Sequence, residues 1–99
     1  MPPDKEIIEL LYARRKQHGG WNSEWYAGVA SDPRERLFKH HRVDEASGAW
    51  AFEPTESAQD ARRLAKSFHS GGGFDGELGD DDPAAVYVYI YLKTKDTKQ

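Results

Sequence analysis

The sequence predicts a small α+β fold, in which three helices alternate with three strands of an antiparallel sheet. Apolar side chains recur at helical spacing in two segments, at about residues 4–18 and 57–70. Apolar and tyrosine side chains alternate through 85–92 (AVYVYIYL), which is typical of a strand. A strand-like run followed by Asp32-Pro33 predicts a strand, a tight turn and a helix. The predicted order is α-β-α-β-α-β, with helices flanking the sheet.

The first and third helices each carry one apolar stripe, so both are expected to cover a sheet. Gly19 follows the first helix and favours its termination. Ser57 and Asp60 form a capping box at the start of the third. The stripes are Ile7, Ile8, Leu11 and Tyr12 in the first helix, and Ala58, Ala61, Leu64, Ala65 and Phe68 in the third.

The central segment, EWYAGVASDPRERLFKHH at 24–41, predicts a strand at 25–29 and a helix at 32–42. Asp32 is a good N-cap, Pro33 suits the first helical position, and Glu35 completes a capping box. Arg36 and His40 are four residues apart and share one helical face. A strand is therefore followed at once by a helix that presents Arg and His, which suits a phosphodiester.

The remaining strands are predicted at 49–53 and 85–92, with a Gly- and Asp-rich loop at 71–83 between the third helix and the last strand. Trp50 and Phe52 share one face of the earlier strand and are predicted to be core residues. The loop matches a dinucleotide-binding glycine pattern, but it follows a helix, so this interpretation is rejected. A divalent-cation site on Asp80–Asp82 is a weaker alternative to a plain flexible loop.

Composition restricts the function classes. The chain has 99 residues, which predicts one small domain over 1–99. It has no cysteine, which excludes disulfides, thiolate nucleophiles and thiolate metal ligands. No apolar run reaches membrane-spanning length and no signal-peptide pattern is present, so the expected location is the cytoplasm, with no membrane partner. The formal net charge of −3 argues against a general nucleic-acid coat protein.

The central segment resembles the GIY-YIG nuclease family. Tyr26-Ala27-Gly28 stands for the family's Tyr-Ile-Gly, Arg36 falls at its catalytic Arg, and His40 falls at its next helical position. The resemblance implies a divalent-metal-dependent endonuclease with Mg²⁺ as its cofactor and nucleic acid as its partner, with DNA favoured over RNA. It implies that Tyr26 is a base, that Arg36 stabilises phosphate charge, and that His40 carries a proton or binds phosphate. The accompanying nucleic-acid-binding candidates are Arg34, Lys39 and Arg42.

One departure from the family is the absence of its Gly-Ile-Tyr strand, which normally precedes the Tyr-Ile-Gly strand. Residues 20–24 are too few to form a strand and a turn there. We predict that the last strand replaces it by pairing antiparallel beside residues 25–29. A tyrosine of that strand would then stand where the family's first tyrosine stands. The candidates are Tyr87, Tyr89 and Tyr91.

A second departure concerns the metal. The family carries its metal-binding Glu on the third helix, and the matching position in ARRLAK at 61–66 is Ala65. Alanine has no oxygen ligand for Mg²⁺. Glu53 and Glu56 are alternative carboxylates, so the metal ligand stays open. On this interpretation, Ala65→Glu is expected to restore metal-dependent cleavage.

Three functions follow from these patterns. The first is a divergent GIY-YIG-like domain that acts on or binds nucleic acid, with hydrolysis impaired by Ala65. The second is a nucleic-acid-binding module without catalysis. The third is a protein-interaction adaptor that docks a partner through Trp21, Trp25 or the tyrosine-bearing face of the last strand.

Overall fold

The computed structural model describes residues 4–19, 21–76, 83–94 and 97. It contains a four-stranded mixed sheet with helices on both faces. The α+β class is therefore confirmed. The helices are α1 (Asp4–His18), α2 (Pro33–Glu35, continued by a π-helical turn at Arg36–His40) and α3 (Ala58–Ser70). The strands are β1 (Trp25–Ala30), β2 (Trp50–Pro54), β3 (Asp75–Gly76) and β4 (Tyr87–Leu92), and short 3₁₀ turns lie at Asn22–Glu24 and Glu45–Ser47.

The strand order is β2-β4-β1-β3. β4 pairs antiparallel with β1, as predicted, so that Tyr91 lies opposite Tyr26 and Tyr89 opposite Gly28. β4 also pairs antiparallel with β2, which places it inside the sheet. The pairing of the last strand with residues 25–29 is thus confirmed, and the three-stranded sheet is not.

The additional strand, β3, lies in the segment predicted as a loop and pairs parallel with β1. Its sequence, Asp75-Gly76, carries no strand signal because both residue types are depleted in strands. Its position is set by tertiary contacts, since the Lys93 ammonium donates to an Asp75 carboxylate oxygen at 2.9 Å. That hydrogen bond, with a second from the Gly76 backbone N–H, holds the pKa of Asp75 below its ordinary value.

The two faces of the sheet have different compositions. The face covered by α1 and α3, called the apolar face, packs Ile7 and Leu11 of α1 and Leu64 and Phe68 of α3 against the strands. The opposite face, called the tyrosine face, is covered by α2 through Leu37. The tyrosine face presents Tyr26, Ala30, Tyr89 and Tyr91, and the apolar face presents Trp25, Ala27, Val29, Val88 and Ile90.

The α2 segment is shorter and more irregular than the predicted helix at 32–42. It begins as expected, because the Glu35 N–H donates to the Asp32 carboxylate at 3.1 Å. It then widens, and the His41 N–H donates to the Arg36 carbonyl at 3.0 Å, five residues back. Arg42 follows with a φ of 57°, in the left-handed region. The burial of Leu37 and His41 against the sheet accompanies this distortion of the helix.

Other boundaries differ only slightly from the predicted ones, and one burial prediction is wrong. Trp50 and Phe52 are half-buried at the edge of the tyrosine face and are not core residues. They lie on β2, an edge strand, so neighbouring strands cover only one side of them. The predicted Asp80–Asp82 cation site lies outside the described residues. Among the described helices, none is both long and apolar enough to span a membrane.

Candidate functional site

A buried histidine lies between two tyrosines on the tyrosine face. His41 is 5% exposed, with Nε2 at 2.8 Å from the Tyr89 hydroxyl and Nδ1 at 3.0 Å from the Tyr91 hydroxyl. In a neutral imidazole one ring nitrogen donates and the other accepts. The three side chains therefore form a directional chain of hydrogen bonds. Tyr26, His41, Tyr89 and Tyr91 are called the histidine–tyrosine cluster below.

Tyr26, the predicted base, completes this cluster through its ring. It stacks on Tyr91 with centroids 5.1 Å apart and lies 4.9 Å from the His41 ring. Burial raises the pKa of the Tyr91 phenol, and the nearby Tyr26 and Asp75 raise it further. Tyr91 is thus protonated at neutral pH, where it serves as a hydrogen-bonding group and not as a base.

Gly28, the glycine of the Tyr-x-Gly pattern, makes room for Tyr89. A Cβ atom at Gly28 would lie 2.6 Å from the Tyr89 hydroxyl oxygen. The glycine therefore allows the Tyr89 phenol to lie flat on the β1 backbone, within reach of His41. This contact explains why the Tyr-x-Gly pattern has glycine at position 28, because any larger side chain there would displace the Tyr89 hydroxyl.

We expect Gly28→Ala to destabilise the fold by about 1–3 kcal/mol, the usual cost of overpacking a core. Thermal unfolding followed by circular dichroism measures this loss. Gly28→Ala should cost less in a Tyr89→Leu background, since that substitution removes both the phenol oxygen and the ring carbon Cζ, which the new methyl group would meet at 2.6 and 2.7 Å. A Gly28→Ala variant as stable as wild type would contradict this account of Gly28.

A small open cavity lies at the carboxyl end of β1. It has a volume of about 90 Å³, and two residues predicted for the site, Arg36 and His40, line it together. His40 Nε2 lies 3.7 Å from a Glu35 carboxylate oxygen, and both side chains are more than half exposed, so this ion pair adds little stability. The lining residues of this Arg36 cavity are Ala30, Ser31, Asp32, Glu35, Arg36 and His40.

The predicted catalytic residues are thus divided between two adjoining places. Arg36 and His40 lie in the open cavity, whereas Tyr26 belongs to the buried cluster and does not line it. Ala30 connects the two, since it lines the cavity and packs in the same core cluster as Tyr89.

The other predicted residues are spread around α2. Arg34 pairs with Glu45 at 3.3 Å, and Lys39 and Arg42 are exposed. Tyr87 packs edge-on against Phe52, whereas Tyr89 and Tyr91 are the tyrosines of β4 that stack on Tyr26.

Ala65 lies on the apolar face, across the sheet from Tyr26. It is fully buried and packs in the same cluster as Trp25 and Ala27. A carboxylate at this position would point into the apolar core and not toward the histidine–tyrosine cluster. The expectation that Ala65→Glu restores metal-dependent cleavage is therefore revised.

The alternative carboxylate Glu53 also lies across the sheet from Tyr26. It follows Phe52 on β2 and so faces the side of the sheet covered by α1. Burial raises the pKa of Glu53, and repulsion from Glu6 of α1 raises it further. Within residues 4–19, 21–76, 83–94 and 97, no group of three or more His, Asp or Glu side chains is arranged to hold a metal ion. The residues implied by the resemblance thus do not fit Mg²⁺.

His41 is the residue that sequence reasoning missed. The spacing of the resemblance selects His40, but the π-helical turn at Arg36–His40 leaves His40 exposed and turns His41 toward the sheet. The doubled histidine in the sequence was the only signal, and it does not say which ring faces inward.

Comparisons with models of known families, with curated proteins and with solved structures find no match to this chain. The GIY-YIG interpretation therefore rests on this chain's own residues, chiefly 24–41.

Proposed function

We propose that this chain is a GIY-YIG-like domain that binds the phosphodiester backbone of nucleic acid at the Arg36 cavity, with hydrolysis impaired. The supporting observation is that Arg36 and His40 line one open cavity beside the histidine–tyrosine cluster. A guanidinium binds phosphate oxygens with two parallel hydrogen bonds, and Arg36 supplies the guanidinium of this cavity. DNA is favoured over RNA by the resemblance alone.

The local charge predicts that this binding is weak. Residues 32–45 balance their acidic and basic side chains, so no strong positive field surrounds the cavity. Affinity then depends on short-range contacts from one or two cations. The basic residues are Arg34, Arg36, Lys39 and Arg42, and the acidic residues are Asp32, Glu35, Asp44 and Glu45.

Two observations support the proposal that hydrolysis is impaired. The family position for a metal-binding carboxylate is Ala65, which lies across the sheet. The buried Tyr91 phenol stays protonated at neutral pH. The cavity can therefore hold a phosphate through Arg36 and His40, whereas the protonated Tyr91 phenol cannot act as a base that activates water.

We expect Arg36→Ala to weaken binding of a fluorescent single-stranded oligonucleotide by about tenfold or more, since a charged hydrogen bond contributes about 1.5–3 kcal/mol. Fluorescence anisotropy over a salt series measures this. With two phosphate contacts, the slope of the logarithm of the association constant against the logarithm of the salt concentration is about −1.4 for wild type. In the variant, which loses one contact, the slope should be shallower, at about −0.7.

The matched control is Arg63→Ala. Arg63 is a half-exposed arginine of α3, on the other side of the sheet, where it pairs with Asp60 at 2.7 Å. The Arg63→Ala variant should bind the oligonucleotide with the same affinity as wild type. Equal weakening by both substitutions would mean that general charge, and not the Arg36 cavity, supports binding.

Cleavage is tested separately with supercoiled plasmid, single-stranded DNA and RNA in the presence of Mg²⁺ or Mn²⁺. The expected result is no cleavage above the Arg36→Ala background. Metal-dependent nicking that is lost in Arg36→Ala would show that hydrolysis is intact and would overturn that part of the proposal.

Protein docking is the alternative function, and one observation favours it. Trp21 is 79% exposed, and tryptophan is a residue type enriched at protein interfaces. The other docking candidates do not support it, because Trp25 is fully buried and the tyrosine face is covered by α2. Salt-sensitive oligonucleotide binding by the wild-type protein would favour the nucleic-acid function.

A further inference from the structure

A second cavity adjoins the Arg36 cavity. Its volume is about 270 Å³, slightly below the range of about 300–1,000 Å³ typical of small-molecule pockets. The two cavities share Ser31 and Asp32, so they open next to one another. The second, called the Arg34 cavity, is lined by Ser31, Asp32, Pro33, Arg34, Phe52 and Tyr87.

The Arg34 cavity has flat walls. The Arg34 guanidinium carbon lies 5.6 Å from the Phe52 ring centroid and 5.9 Å from that of Trp50. The Tyr87 ring meets Phe52 edge-on at 6.0 Å. The two aromatic residues of the lining, Phe52 and Tyr87, are half-buried, so their rings keep accessible area. Aromatic rings and guanidinium planes of this kind stack with nucleobases.

The two charged walls of the Arg34 cavity, Asp32 and Arg34, already have partners within the chain. The Asp32 carboxylate already accepts the Glu35 backbone N–H as a helix cap. The ion pair between Arg34 and Glu45 is more than half exposed on both sides, so it restrains the guanidinium only weakly. Arg34 can therefore stack on an incoming base without a large loss of stability.

We propose that the two cavities together bind one nucleotide unit of a single strand, with the phosphate at Arg36 and the base against Arg34, Phe52 and Tyr87. This inference rests on the proposed function and names its substrate class. The bases of a duplex are stacked inside it and offer no free face, whereas those of a single strand do. A free mononucleotide shares the same chemistry, and the experiment below separates the two.

The test compares four probes by fluorescence anisotropy and competition: a short oligodeoxythymidylate, an abasic oligonucleotide of equal length, the corresponding duplex, and thymidine monophosphate. Wild type should bind the oligodeoxythymidylate about tenfold more tightly than the abasic strand, since stacking contributes about 1–3 kcal/mol per base. It should also prefer that strand to the duplex and to the mononucleotide.

Phe52→Leu should remove most of the preference for the base-bearing strand and leave binding of the abasic strand unchanged. Tyr87→Leu provides a second variant if Phe52→Leu fails to fold. Trp21→Leu is the matched control. Trp21 is an exposed aromatic residue before the start of β1, whereas the two cavities lie at Ser31, just after the end of that strand. Arg36→Ala, in contrast, should weaken both strands equally.

The outcomes separate the inference from the function on which it rests. Equal affinity for the abasic and base-bearing strands, or tighter binding of the duplex, would overturn the base site while the Arg36 site stands. Thymidine monophosphate that competes as well as the strand would assign a free nucleotide as the ligand instead. No binding of any probe by wild type would overturn both proposals.

Discussion

Ala65→Glu is expected to destabilise the protein by about 3–5 kcal/mol and to create no nuclease activity, because it forces a carboxyl group into the apolar core, where it must either carry an unpaired charge or take up a proton. Ala65 is fully buried where α3 packs on the sheet, among apolar residues that include Trp25 and Leu64. A loss of this size is a large fraction of the stability of a small domain. The family resemblance alone predicts the opposite outcome, a restored metal site.

Urea denaturation measures this loss, and Lys66→Glu is the matched control. Lys66 is the next residue of α3 and is exposed, so a glutamate there should change stability by no more than about 0.5 kcal/mol. The buried carboxyl of the variant is held in its neutral form, so its pKa in the folded state is raised. The penalty should therefore shrink as the pH falls toward the unfolded-state pKa of about 4.3.

Metal-dependent cleavage by a stable Ala65→Glu protein would contradict this prediction. It would mean that position 65 reaches the histidine–tyrosine cluster and that the family mechanism applies. Cleavage assays and denaturation should therefore use the same preparation of the variant.

His41→Leu is expected to destabilise the protein by about 2–5 kcal/mol, because it removes a hydrogen-bond partner from each of two buried phenols, and an unmade buried hydrogen bond costs about 1–3 kcal/mol. His41 bonds to the hydroxyls of Tyr89 and Tyr91, at 2.8 and 3.0 Å. Removing both hydroxyls as well should recover much of the loss, since apolar groups of the same shape then face one another.

The measurement is a double-mutant cycle by urea denaturation. It compares wild type, His41→Leu, the pair Tyr89→Phe/Tyr91→Phe, and all three substitutions together. His40→Leu is the control, because His40 is exposed and should cost no more than about 0.5 kcal/mol. Strictly additive losses, or an equal loss from His40→Leu, would show that His41 does not organise the cluster.

Much of the local structure could be predicted from the sequence, since it depends on residues close along the chain. Asp32 caps α2 and Ser57 caps α3 as their sequence patterns predict. The alternation in β4 correctly separates Val88 and Ile90 from Tyr89. These features follow from residue periodicity and capping, which need no knowledge of the tertiary fold.

The candidate site was only partly predictable. Arg36 and His40 do line one cavity, because residues four apart on a helix are neighbours. The same rule could not choose between His40 and His41 as the residue that meets the tyrosines. That choice depends on the π-helical turn, which accompanies packing of Leu37 against the sheet.

The sequence by itself determined the α+β class, the helices and their caps, and the strand faces, because these are set by spacing within each segment. The tertiary structure alone decided three further features. β3 joins the sheet at Asp75–Gly76, His41 is enclosed by Tyr89 and Tyr91, and Ala65 lies across the sheet from Tyr26. Each of these depends on contacts between segments distant in the chain, and no local pattern specifies which faces of those segments meet.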